Sequence, residues 1–444
     1  MSRVYFGTDG IRGRVGEHPM TVDFALRLAS AAGRVLAPQG GAVLIGKDTR
    51  LSGYMFEAAL EAGFVAAGVN VMMMGPLPTP GIAYMTRRLK CNFGVVISAS
   101  HNLFEDNGIK FFDSSGGKLS DELEEQIEAQ LEASPVTRSS GELGRARRVD
   151  TTRAMYQDFV RATLPEGTDL SGMKIVVDCA NGAAYKVAPR TLADLGADIV
   201  PIGSSPNGRN INVGCGSTAP ELLQLTVPGV NAQAGIALDG DGDRVLMVDH
   251  LGRVVDGDQL LYIIACARQA QGALQGPVVG TLMSNLGLEL ALRERGIAFE
   301  RAAVGDRYVL ARLRETGGVL GGETSGHILC LDRTTTGDGL VSALQVLAVM
   351  RLSGKSLAEL AAGMTRFPQV MLNVRVAKRF DPSAVPAIRT LLGTLESQLG
   401  SRGRIVLRPS GTEPLIRVMV EAREEGLARG CAERLAEAVR AVGA

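Results

Sequence analysis

Three stretches of the chain repeat one pattern of apolar and polar positions. Each runs from a short apolar strand through a helical segment to a glycine, then into a second apolar strand. The first spans AVLIGKD (42–48), an alanine-rich helix (52–67), Gly68 and VNVMMMG. The second spans KIVVDCANG (174–182), a helix, Gly196 and ADIVPIG. The third spans PVVGTLMSN (277–285), a helix, Gly296 and IAFERAAVG. A glycine in that place suits the left-handed residue that ends a helix. Strands alternating with helices of this length predict α/β layers.

After about residue 365 the pattern changes. A strand over MLNVRVAK (371–378) leads to a helix near 383–399, strands GRIVLR (403–408) and LIRVMVEA (415–422), and a final helix. The reading is three successive α/β domains with mixed sheets and a smaller C-terminal α+β domain, around a central cleft. Turn and charge clusters put the domains at 1–150, 151–253, 254–368 and 369–444. A length of 444 residues suits three or four units, each able to bury a core. The 47 basic and 47 acidic residues balance, which argues against a nucleic-acid or anionic membrane partner. The longest apolar run, LLYIIACA (260–267), is far too short to span a bilayer. Six scattered cysteines, without a C-x-x-C pair or a signal-peptide-like N-terminus, predict a cytoplasmic protein. Glycine is abundant, 55 of 444, as expected where backbone must approach something closely.

Four polar segments break the amphipathic pattern, one per domain. SASHN (98–102) follows the apolar strand FGVVI, so Ser100 and His101 sit at a strand's carboxyl end, the usual active edge of such sheets. A serine-rich turn is the alternative, and no G-x-S-x-G elbow is present. DGDGDR (239–244) sets Asp239, Asp241 and Asp243 on alternate residues after AGIAL. Three carboxylates converge only around a cation, and hard oxygen donors suit Mg²⁺. An EF-hand fails, because its sixth and twelfth places hold Arg244 and His250. GGETSGH (321–327) offers Glu323, Ser325 and His327 to sugar hydroxyls, or is simply a loop with a satisfied histidine. RPSGTEP (408–414) with Arg417 combines two guanidiniums, two hydroxyls and a bare glycine amide, either a phosphate cradle or a surface hairpin. FGTDGIRGR (6–14), with Arg12, and NGIKFF (107–112), with Lys110, read alone as ordinary turns. The G-x-x-x-x-G-K-D at 41–48 is no P-loop, since its last position is aspartate and its middle is strand-forming.

The ordered set GTDGIRG, SASHN, DGDGDR, GGETSGH and RPSGTEP resembles the α-D-phosphohexomutase superfamily over essentially the whole chain. The segments at 335–339, 174–189 and 210–218 favour a member acting on an amino-sugar phosphate; Thr324 departs from that subfamily's frequent glutamine. The resemblance implies that Ser100 carries a phosphoryl group, and that Asp239, Asp241, Asp243 and a phosphoserine oxygen hold one Mg²⁺. It implies that Glu323 and Ser325 grip the sugar. Arg408, Ser410, Gly411, Thr412 and Arg417 would anchor the phosphate that is not reacting. Lys110, His101, His327 and Arg12 become candidates for proton transfer or charge stabilisation. The implied reaction converts glucosamine 6-phosphate to glucosamine 1-phosphate through a 1,6-bisphosphate, which also serves as activator, and feeds UDP-N-acetylglucosamine and cell-wall precursor synthesis. Mannose or glucose phosphates are the alternative substrates. A non-catalytic sugar-phosphate sensor is disfavoured because every motif is kept, and an aspartate-nucleophile phosphatase because its D-x-D-x-T/V pattern is missing. A homodimer is the default expectation for assembly.

Overall fold

The computed structural model describes residues 3–378, 380–410 and 414–443. It holds four sheets in chain order, of six, five, four and three strands. The apolar segments that open and close each repeat lie side by side as parallel strands. Gly41–Lys47 pairs with Val69–Pro76, Lys174–Asp178 with Asp198–Ile202, and Val278–Thr281 with Phe299–Ala302. The three helix-ending glycines have φ of +85° (Gly68), +93° (Gly196) and +70° (Gly296), the left-handed turn their positions predict.

The repeat extends further than the sequence shows. On its other edge each opening strand takes a second parallel neighbour: Phe93–Ile97, Ala234–Leu238 and Leu320–Gly322. Each of these reverses into an antiparallel strand: Asp106–Asp113, Val245–Asp249 and Ile328–Cys330. The three reversals carry Ser100, the three aspartates, and the Glu323–His327 loop. One architectural position, used three times, therefore presents all three polar segments at the carboxyl ends of strands.

The structure corrects two expectations. Residues 107–112 are no turn but the middle of the strand Asp106–Asp113, and part of 6–14 is the strand Ile11–Arg14 paired antiparallel to it. Asn-Gly at 107–108 is a turn signal, but here it lies on a strand paired on both edges. Burial of Ile109, Phe111 and Phe112 overrides the local preference.

Packing sets the fourth unit apart. One apolar cluster joins Leu44 of the first sheet and Ile82 beside it to Val177 and Ile236 of the second and Leu344 beside the third. The fourth sheet, an antiparallel trio of Gln369–Arg375, Leu415–Ala422 and Gly403–Pro409, has its own core around Ile388, Val418 and Leu435. It meets the third unit through polar groups. Buried Glu421 accepts from Leu286 N at 3.1 Å and Asn285 Nδ2 at 3.3 Å, and Arg404 donates to the carbonyls of Leu282 and Ser284 at 3.0 and 2.6 Å. Among the described residues, no helix is long and apolar enough to cross a membrane.

Candidate active site

Ser100 lies at the junction of the first two sheets with φ +51°, a left-handed conformation that costs a residue with a Cβ about 1–2 kcal/mol. Hydrogen bonds from both units hold it there. Its N–H donates to Ser98 Oγ at 3.0 Å, and its carbonyl accepts from Asn212 Nδ2 at 2.9 Å and Arg50 Nη2 at 3.3 Å. Arg50 is fully buried; it pairs with Asp48 and donates to the Asn102 carbonyl. Opposite this backbone the second unit must be bare, since a Cβ on Gly240 would come within 2.6 Å of the Ser100 carbonyl oxygen.

The serine hydroxyl meets the acidic loop directly. Ser100 Oγ donates to Asp239 Oδ2 at 2.6 Å, although the two are 139 residues apart. One carboxylate oxygen from each of Asp239, Asp241 and Asp243 lies within 4.8 Å of the other two, and all three side chains are buried. Among the described residues, Asp241 Oδ1 and Asp243 Oδ1 are buried without a hydrogen-bond partner, and the His327 ring stands 3.6 Å from the latter. Buried acceptors left without donors, on three converging carboxylates, fit a hard divalent cation such as Mg²⁺.

Cations border the cluster. Lys110 Nζ stands 2.9 Å from Asp241, 2.9 Å from Asp9 and 3.8 Å from Asp243. Burial opposes its charge, but those three carboxylates outweigh burial and keep it an ammonium. Burial likewise pushes Asp241 up, yet Lys110, with hydrogen bonds from Thr79 and Lys110 itself, holds it well below the usual carboxylate range. Asp239 goes the other way, raised by burial and by Asp243 and Asp241. The two imidazoles differ. His101 is pushed down to about 4 by burial, Arg244 and Arg12, and its Nδ1 sits 3.0 Å from Arg244 Nη1. Burial also opposes charge on His327, but Asp243 and Asp306 raise it to about 9.

Beside the cluster opens a cleft of about 530 Å³, lined by Arg12, Asp243, Arg244, Glu323, Ser325 and His327 among others. Glu323 is oriented there by Gly305 N, which donates to its Oε1 at 3.0 Å. The first three sheets thus bring their predicted residues to one place. A larger cavity of about 940 Å³, near Met173, His250 and Lys355, contains none of them.

Among the described residues, none of the fourth unit lines the cleft; Arg408, Ser410 and Arg417 are not among its lining residues. Arg408 and Arg417 are direct partners on adjacent antiparallel strands. Like charges in that register repel unless an anion lies between them. Burial and Arg417 lower the Arg408 pKa accordingly. Ser410 is buried nearby in sequence, while Gly411 and Thr412 lie outside the described residues.

Sequence reasoning missed several groups at the site. Asp48 and Arg50 lie just past the strand Gly41–Lys47, in the segment considered only as a failed P-loop. Asp9, Lys118 and Asp306 form a chain of ion pairs, with Lys118 Nζ 2.6 Å from each carboxylate. A basic or acidic residue close after a strand's carboxyl end was the available signal for Asp48, Arg50 and Asp306.

Comparison with known proteins agrees with this geometry. Residues 3–137, 154–252 and 256–367 match the alpha/beta/alpha domains I, II and III of phosphoglucomutase/phosphomannomutase, and residues 371–438 match its C-terminal domain. The chain is 58% identical over 446 residues to the phosphoglucosamine mutase of Thioalkalivibrio sulfidiphilus, covering 100% of this chain and 99% of that one. A phosphoglucomutase/phosphomannomutase family protein of Burkholderia thailandensis superposes with a TM-score of 0.82 at 24% identity, over 99% of this chain and 98% of that one. The N-acetylphosphoglucosamine mutase of Aspergillus fumigatus, in complex with GlcNAc-6P and magnesium, shares the fold with a TM-score of 0.70 at 19% identity, over 100% of this chain and 96% of that one. With all four of its domains matched in order along one chain, the protein belongs to the phosphoglucomutase/phosphomannomutase family.

Proposed function

We propose that the protein interconverts glucosamine 6-phosphate and glucosamine 1-phosphate through a phosphorylated Ser100 and a 1,6-bisphosphate. The observation that supports this most is the 2.6 Å contact between the Ser100 hydroxyl and the buried acidic trio. Amino-sugar specificity rests on full-length relatives named phosphoglucosamine mutase at 57–59% identity.

Asp239, Asp241 and Asp243, with an oxygen on Ser100, would hold Mg²⁺, which when bound offsets charge on the transferring phosphoryl group. Lys110, kept cationic by its three carboxylates, borders the acidic trio and would offset charge on the same group. Arg12 brings a guanidinium to the cleft wall. Of the two imidazoles, His327 lines the cleft, where Asp243 and Asp306 favour its charged form, and is the one placed to give a proton to a sugar oxygen, while His101 faces Arg244. In the forward direction the phosphoserine P–O bond breaks as the sugar O1–P bond forms. The bisphosphate then turns over, and its 6-phosphoryl group returns to Ser100. Glu323 and Ser325 hold the sugar hydroxyls in both poses. Arg408, Ser410, Gly411, Thr412 and Arg417 hold the phosphate that is not reacting; the polar joint of the fourth unit suits a cleft that opens for the turn and closes again. Hexosamine 1,6-bisphosphate re-primes enzyme that has lost its phosphate. The six free cysteines suit a reducing, cytoplasmic setting, and a homodimer is the assembly expected.

The test is an assay of glucosamine, glucose and mannose phosphates with Mg²⁺ and a trace of hexose 1,6-bisphosphate, beside intact-mass analysis. Glucosamine phosphate is the preferred substrate, one phosphate's mass is carried on the protein, and a chelator stops turnover. Ser100→Ala loses at least about 10⁴-fold in kcat. Near-normal activity in Ser100→Ala removes the serine from the mechanism.

A further inference from the structure

The amino group of the sugar requires a partner that a neutral sugar does not. Four carboxylates line the cleft: Asp9, Asp243, Asp306 and Glu323. Asp9 is already surrounded, by Arg12, by Lys110 at 2.9 Å and by Lys118 at 2.6 Å. Asp243 belongs to the acidic trio. Glu323 is aimed by Gly305 N–H as one of the hydroxyl-gripping pair.

Asp306 differs from these. It opens the helix Asp306–Thr316, directly after Gly305, whose N–H orients Glu323. Its Oδ1 accepts from Arg307 N at 2.8 Å, which fixes the side chain. Its Oδ2 faces His327 Nε2 at 3.3 Å and a single ammonium, Lys118, at 2.6 Å. That ammonium is shared with Asp9 at the same distance. Lys118 is shared with Asp9 and His327 with Asp243, so neither cation belongs to Asp306 alone, and the lysine shows that an ammonium fits against Asp306.

We infer that Asp306 determines specificity by accepting a hydrogen bond from the 2-ammonium group of the amino sugar, with Lys118 remaining on Asp9. This deepens the proposed function and rests on it. A charge-assisted bond made only by the amino sugar separates it from the 2-hydroxyl sugar, which brings no positive charge to that wall.

The experiment measures kcat/KM of the Mg²⁺-loaded, bisphosphate-primed enzyme on glucosamine 1-phosphate and on glucose 1-phosphate. A wild-type enzyme inactive on both overturns the parent reading, and with it this one. With wild-type activity in hand, Asp306→Asn lowers kcat/KM for the amino sugar about 10- to 100-fold. Any loss that passes through His327, which Asp306 also faces, falls on both sugars alike, so the readout is the ratio of the two kcat/KM values, which drops about 10-fold or more. Asp306→Glu keeps the charge and retains more of the amino-sugar preference than Asp306→Asn. Equal losses on both sugars, an unchanged ratio in Asp306→Asn, or a preference lost as fully with glutamate as with asparagine each overturn the assignment.

Discussion

The first three units and the fourth are built differently, and the contrast follows the division of labour in the proposed reaction. The first three repeat one sheet pattern and share apolar packing across their boundaries. Their reversals interlock so tightly that a side chain of the second unit, Asn212, holds the main chain of the first at Ser100. The fourth has a private core and is joined through Glu421, Asn285 and Arg404. Polar joints can be re-made in a second arrangement at small cost, whereas an apolar core cannot slide without opening voids. Phosphoryl transfer needs fixed groups, and turning an intermediate over needs one wall that gives.

Three substitutions break or sharpen this comparison, and the largest effect is expected in the interlocked part. Arg50→Lys keeps the charge but loses the fork that reaches Asp48, the Ser100 carbonyl and the Asn102 carbonyl together. Displacing a nucleophile by about 1 Å costs on the order of 10²-fold. Steady-state kinetics should therefore show kcat down about 10²-fold with KM nearly unchanged; an unaltered kcat means that the grip on Ser100 is dispensable.

In the fourth unit Arg417→Ala should act the other way. Losing one charge-assisted contact to phosphate raises KM roughly 10- to 50-fold. Thermal stability should hold or rise, since Arg408 no longer faces a like charge. A fall in kcat with KM unchanged would place Arg417 outside phosphate anchoring.

The smallest effect is at the joint. Asp258 accepts from Asn285 N and Thr324 Oγ1, both at 2.8 Å, linking the 321–327 loop to the residue that contacts Glu421. Burial and Asp256 push its carboxyl up to about 7. The folded protein thus favours the protonated acid. Stability from this group is fully present below the unfolded carboxyl pKa and is lost as pH rises towards 7. Replacing it by a neutral amide should flatten the change in Tm between pH 5 and 7 by about 2 °C. An identical pH profile in Asp258→Asn would show that the acid is already ionised in that range.

Much of this site can be read from the sequence where chemistry is concentrated locally. Three aspartates on alternate residues after a buried strand admit few readings, and Ser100 at a strand's end is similar. The helix-ending glycines carry their backbone requirement in their identity. Lys110 is harder, because Asn107-Gly108 imitates a turn and only pairing on both edges makes the segment a strand. Asp9, Lys118 and Asp306 are harder still. Each is an unremarkable surface-type residue in sequence, and their meaning comes from meeting across sequence separations of 109 and then 188. Arg50 was hidden by a motif that nearly fits, G-x-x-x-x-G-K. Its lysine turns out to be buried against Glu57 and takes no part in the cleft.

The hold of Asn212 on Ser100 also orders events during biosynthesis. When Ser100 leaves the ribosome, 112 more residues must follow before the amide that shapes it exists. Until the second unit docks, the serine has neither its left-handed turn secured nor its aspartate neighbours. In the proposed reaction a half-made chain therefore offers no competent acceptor, and Ser100 becomes one only once the second unit is in place.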